Sequence, residues 1–178
     1  MALIVVSVIG AAALAVLSKR GWRSVVLSER TREAALWVAL AAPFAVLAIG
    51  ADLLLRFPRD INVPAPWSVL FYPTMGFVVE GVFHALPLAL LALPFGASLR
   101  TSWIWLAPVA LIEPVFQVRE AFADSRISAL EGFVFLQVLA INIVELHVFR
   151  RHGFLSAWSF RLSYYLLWHV AWGHLRLL

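Results

Sequence analysis

Six long apolar runs fill most of this chain, and several ionisable side chains lie inside them. The runs are Ala2 to Leu17, Ala34 to Leu55, Thr74 to Leu93, Trp103 to Val118, Ile127 to Phe149 and Leu155 to Leu178. About 20 helical residues cross a bilayer core, so runs of this length predict membrane helices. They lack the apolar–polar alternation that a membrane β-barrel requires. The chain is 63% hydrophobic and 13% charged, whereas soluble domains run near 45–50% and about 25%. The expected fold class is all-α: a polytopic integral membrane bundle of about six transmembrane helices, some kinked by proline. Its 178 residues suit one transmembrane domain, 1–178.

Proline and charge mark the breaks. Arg56 to Trp67 holds three prolines and reads as a loop. Pro87 is expected to kink the third run, and Pro94-Phe95-Gly96 to end it. Pro108 and Pro114 predict a bent or partly broken fourth helix. Pro114 also frees a backbone carbonyl one turn earlier, which then needs a donor or water, so a polar cavity is expected there. The first run is followed, not preceded, by Lys19, Arg20 and Arg23, the pattern of a membrane helix and not of a signal peptide.

The net charge of +4 resides in short loops. That placement points to anchoring in a lipid bilayer and away from nucleic acid. Loops after the first, third and fifth runs carry Lys19, Arg20, Arg23, Arg30, Arg32, Arg100, Arg150 and Arg151. The other side holds Arg56, Arg59, Arg119, Arg126 and Arg176. The bias predicts a multi-pass membrane protein with both termini outside. With no cysteine, disulfides, thiolate metal sites and a cysteine nucleophile are excluded.

An ionisable group at the centre of a membrane helix costs roughly 2.5–3.5 kcal/mol on insertion scales, so each one calls for a partner or a job. Glu80 and His84 are four apart, on one helical face, where they could share a proton, hold a metal or activate water. Glu113 and Gln117 form a second pair at the same spacing. Arg161, Tyr165 and His169 recur every four residues as a polar stripe on the last run. Of these, His169 lies deep, whereas Arg161 is expected to snorkel at the membrane entrance. Asp52 and Glu131, near run ends, should reach headgroup water. Asn142 and Glu145 read as interhelical glue, and His147, His152 and His174 as interface residues.

Taken together, these stretches resemble the CPBP family of intramembrane proteases (CaaX protease and bacteriocin-processing, or Abi). The family's first motif is Glu-Glu-x-x-x-Arg, often with Phe before the Arg. Val79-Glu80-Gly81-Val82-Phe83-His84 keeps the second Glu and the Phe, with Val79 and His84 at the outer positions. Glu113-Pro114-Val115-Phe116-Gln117 corresponds to the second motif, Phe-x-x-x-His, without its signature residues. His169-Val170-Ala171-Trp172-Gly173 corresponds to the third, His-x-x-x-Asn or Asp, keeping the His. Phe149-Arg150-Arg151-His152-Gly153-Phe154-Leu155 is similar to the basic–Gly turn before the family's final motif.

The resemblance implies a protease in which Glu80 activates water against a membrane-peptide substrate and His169 assists proton transfer. His84 and Glu113 would complete a four-residue constellation suited to Zn or another divalent ion. It implies equally a degenerate relative that keeps the fold as a non-catalytic scaffold or accessory subunit for a partner membrane protein. Two other classes are weighed beside it. His84 and His169 could ligate a b-type haem as a bis-His pair. Broken helices with buried carboxylates also occur in transporters, although no internal repeat supports that class.

Overall fold

The computed structural model describes residues 1–22, 31–95, 103–123 and 127–178, without the side chains of residues 2, 31–35, 38, 103, 122 and 123. Helix α1 is Ala2–Lys19, α2 is Thr31–Leu55 and α3 is Ser68–Phe95. Helix α4 is Trp103–Gln117, α5 the short Arg119–Ala123 and α6 Ala129–His152. Helix α7 covers residues 154–177, built from Phe154–Tyr165, a π-helical stretch Leu166–Trp172 and Gly173–Leu177. No strand occurs among the described residues. Each of the six apolar runs falls in a helix. Two of these, α3 and α6, are long and apolar enough to cross a membrane, and Leu3–Lys19, Ala39–Leu55 and Ile104–Gln117 are shorter apolar helices. The basic residues Arg23, Arg30, Arg100 and Arg126, and Gly96, lie outside the described residues, as does the side chain of Arg32.

Local chemistry explains several boundaries. Helix α6 starts at a capping box: Ser128 Oγ accepts from Glu131 N at 3.3 Å while Glu131 Oε2 accepts from Ser128 N at 2.7 Å. Glu131 therefore caps a helix, a more specific task than meeting headgroup water. Gly153 separates α6 from α7 at φ 96°, a conformation in which a Cβ is disfavoured. The expected loop after α2 is present, with one 3₁₀ turn at Arg59–Ile61. Helix α4 runs unbroken through both Pro108 and Pro114 and stops only after Gln117, so the expected break does not occur inside it. Before Pro87, residues Glu80–Ala85 widen into a π turn. Proline supplies no N–H to the preceding turn and crowds its carbonyl.

Helices α3, α4, α6 and α7 form a closed ring, each packing on the next, with α1 laid against α3 and α2 against α6 and α7. Helices α1 and α3 approach closely where two glycines meet: a Cβ on Gly10 would lie 3.2 Å from Gly81 Cα. The apolar core includes Leu17, Leu88, Leu106, Leu146, Phe149 and Phe160. Large apolar side chains also cover the outside. Leu54 is 84% and Ile104 78% exposed, and Ile4, Leu70, Leu90 and Leu136 stand out similarly from α1, α3 and α6. Apolar residues on the rim and charges in the middle invert the soluble pattern.

Candidate functional site: a buried ionic centre beside a cavity

The ring of α3, α4, α6 and α7 encloses Arg161. Its side chain is 3% exposed, so the snorkelling expectation is corrected: the guanidinium points inward. Arg161 Nε donates to Glu80 Oε1 at 2.7 Å. Nη1 donates to Glu113 Oε1 at 3.1 Å, and Nη2 to Glu113 Oε2 at 3.0 Å, the two-pronged geometry in which Arg binds carboxylates best. Nη2 also donates to Glu145 Oε2 and, at 3.3 Å, to Asn142 Oδ1. Tyr165 Oη lies at the end of the fork, 3.4 Å from Nη1. One side chain of α7 thus binds all three other helices of the ring. A planar guanidinium with five N–H donors can do this; an ammonium cannot.

Both i, i+4 pairs exist as read. His84 Nδ1 donates to Glu80 Oε2 at 2.8 Å, with both residues fully buried inside the π turn. Gln117 Nε2 donates to Glu113 Oε1 at 3.1 Å. On α7 the residue that meets Glu80 and Glu113 is Arg161, with Tyr165 bonded to Arg161, and not His169. His169 is turned to the end of the bundle, where Tyr72 stacks on it at 4.8 Å. Asn62 Nδ2 donates to the His169 carbonyl at 3.3 Å and stands equally far from His169 Nδ1.

Asn142 and Glu145 carry more than generic glue. Pro114 leaves the carbonyl of Ala110 without its helical N–H, and Asn142 Nδ2 supplies that bond from α6 at 3.1 Å. The donor expected near Pro114 is therefore a side chain. Asn142 then presents its carbonyl oxygen to Arg161, and Glu145, one turn on, accepts from the same Nη2. Their three-residue spacing in an apolar run was the available signal; their facing of Arg161 depends on interhelix register, which sequence does not state.

A cavity of about 190 Å³ adjoins the centre. Glu113, Gln117, Arg161, Tyr165 and His169 border it, together with apolar walls that include Phe57, Phe133 and Trp168. Glu80, His84 and Glu145 do not border it. Of the proposed four-residue constellation, the fold thus joins Glu80 with His84 directly and to Glu113 through Arg161, and leaves His169 at the far wall of the cavity. Of the two imidazoles of the haem alternative, His169 lines this cavity and His84 does not.

A second polar group joins the end of α2, the loop that follows it and the end of α7. Asp52 is buried, contrary to its expected place in headgroup water. Its Oδ1 accepts from Phe57 N at 2.9 Å and its Oδ2 from Trp172 Nε1 at 2.7 Å. Arg176 pairs with Asp52 at 3.2 Å and donates to Asn62 Oδ1 at 2.8 Å and to the Phe57 carbonyl at 2.5 Å. These bonds tie the α2–α3 loop to the end of α7. No protein-family model, curated protein or solved structure matches the chain.

Proposed function

We propose that this chain is a multi-pass membrane protein of CPBP-like architecture, with about six transmembrane helices, whose charged centre holds the bundle together instead of hydrolysing a peptide. Its work is non-catalytic: it serves as a membrane scaffold or accessory subunit for a partner membrane protein. The observation that carries this reading is the state of Glu80. Both of its oxygens are engaged, by Arg161 and His84, and it does not border the cavity from which water or substrate would come. The residue of α7 that meets Glu80 is Arg161, and not the His169 that the family resemblance puts in that role. Arginine does not give up its proton in proteins, so it cannot relay one as a general acid or base would. The apolar outer surface supports the membrane assignment.

Two assays test the reading. In proteoliposomes carrying a library of membrane peptides, no cleavage is expected from the wild type, and Glu80→Gln should lower thermal stability. Cleavage by the wild type that disappears in Glu80→Gln would overturn it. Because the chain has no cysteine, single-cysteine variants report sidedness cleanly. Asp60→Cys should react with an impermeant maleimide on intact cells and Arg20→Cys only after lysis. The reverse pattern would invert the orientation, and labelling of both on intact cells would remove the intervening span.

One observation favours a second reading. Glu113 and His169, a carboxylate and an imidazole, border the same cavity. Hydrolysis through that pair is the form in which the catalytic alternative survives. It predicts cleavage that depends on Glu113 and His169 but not on Glu80.

A further inference from the structure

Two buried atoms of the ionic centre have no hydrogen-bond partner: His84 Nε2 and Glu145 Oε1. Both residues are fully buried, where an unsatisfied polar atom costs about 1–3 kcal/mol. The two residues belong, with Glu80, to one trio. A ligand-capable atom from each of Glu80, His84 and Glu145 lies within 4.8 Å of the other two. We propose that this trio binds one divalent first-row cation, held inside the bundle behind Arg161 and joining α3 to α6.

Charge supports it independently. Three carboxylates, Glu80, Glu113 and Glu145, surround one guanidinium, two negative charges in excess when all three are ionised. An excess of that size in a dry interior is neutralised by proton uptake or by a bound cation, and one divalent ion matches it in full. The donor set of one imidazole nitrogen and carboxylate oxygens suits Zn²⁺ or Mn²⁺ and offers nothing to an ion that selects thiolates. Arg161 prepares the site by holding one oxygen of each ligand carboxylate, Glu80 Oε1 and Glu145 Oε2. This orients the carboxylates, leaves Glu145 Oε1 unpaired, and leaves Glu80 Oε2 with only the proton it shares with His84 Nδ1, which the ion displaces on binding. None of the trio borders the cavity, so a ligand there meets Arg161 and Glu113 and not the ion. The cation is thus structural, and the proposal stands apart from whether the protein hydrolyses anything.

The test uses full-length protein purified in chelator-washed detergent and dialysed against Zn²⁺ or Mn²⁺. Bound metal is counted by mass spectrometry and thermal stability followed with metal concentration, since an ion that binds only the folded state raises it. One ion per chain is expected, with binding at least tenfold weaker in Glu145→Gln and in His84→Asn, and unchanged in His169→Ala. No stoichiometric binding, or binding that survives Glu145→Gln and is lost in His169→Ala, would overturn the proposal. If the trio variants do not fold, Mn²⁺-loaded wild type decides by pulsed electron resonance. Coupling to a single histidine nitrogen is expected, and coupling to none or to several would refute the site. Absence of metal leaves the non-catalytic reading intact, because peptide cleavage reads that separately.

Discussion

Replacing Arg161 with methionine removes the one guanidinium of the centre while keeping an unbranched side chain to fill the space. Glu80, Glu113 and Glu145 then lose their common partner at positions nearly closed to solvent. Breaking a buried ion pair by removing one partner costs about 3–5 kcal/mol, because a charge is left behind without compensation. For a chain of this size each kcal/mol moves the melting temperature by about 2–4 °C. The expected loss is therefore roughly 6–20 °C, read from tryptophan fluorescence on heating in detergent. Arg161→Lys should fall between, since one ammonium cannot reproduce bonds to Glu80, Glu113, Glu145 and Asn142 together. Combining Arg161→Met with Gln at all three glutamates should restore most of the loss, as neutral replacement of a whole buried ion cluster often does. If Arg161→Met alone melts within about 2 °C of wild type, the centre does not hold the ring together, and the reasoning fails.

Other outcomes follow from the same structure. Asn142→Leu should destabilise by about 1–3 kcal/mol by orphaning the Ala110 carbonyl; in the background of Pro114→Ala, which restores a helical N–H to that carbonyl, the penalty should shrink, and a double-mutant cycle on melting temperatures measures the difference. Gly10→Val should cost about 1–3 kcal/mol, because its Cβ meets Gly81 backbone at 3.2 Å and only separation of α1 from α3 relieves the contact; an unchanged melting temperature would contradict that packing. Arg176→Met should release the Arg56 to Trp67 loop from the end of α7, giving protease cleavage within that loop before the bundle unfolds. Cleavage no faster than wild type would show that the latch does not restrain the loop.

What the sequence made legible was periodic and local. The six runs become helices because apolar continuity and length suffice to predict them. The pairs Glu80–His84 and Glu113–Gln117 follow from a four-residue spacing on one helix. Failures arise where the answer depends on two helices at once. Arg161 looked peripheral because nothing in its own run shows that acids on three other helices converge on it. Glu145 and Asn142 were undervalued for the same reason. The stripe Arg161, Tyr165 and His169 does line one cavity, but which of the three meets Glu80 is set by the register of α7 against α3, and for that reason His169 was misplaced relative to Glu80. Pro114 is the instructive middle case. Its chemistry announced a vacant carbonyl, but only the packed α6 identifies Asn142 as the donor.

The order of charges along the chain has a consequence for biogenesis. Glu80, Glu113 and Glu145 are synthesised first, on three successive helices, and the guanidinium that binds them arrives last, on α7. Until then each acid lies in apolar surroundings without its main partner, so the growing chain holds three uncompensated sites that make premature closure unfavourable. Completion of the final helix resolves all three at once. The salt bridges that close the ring therefore cannot form before α7 is in place.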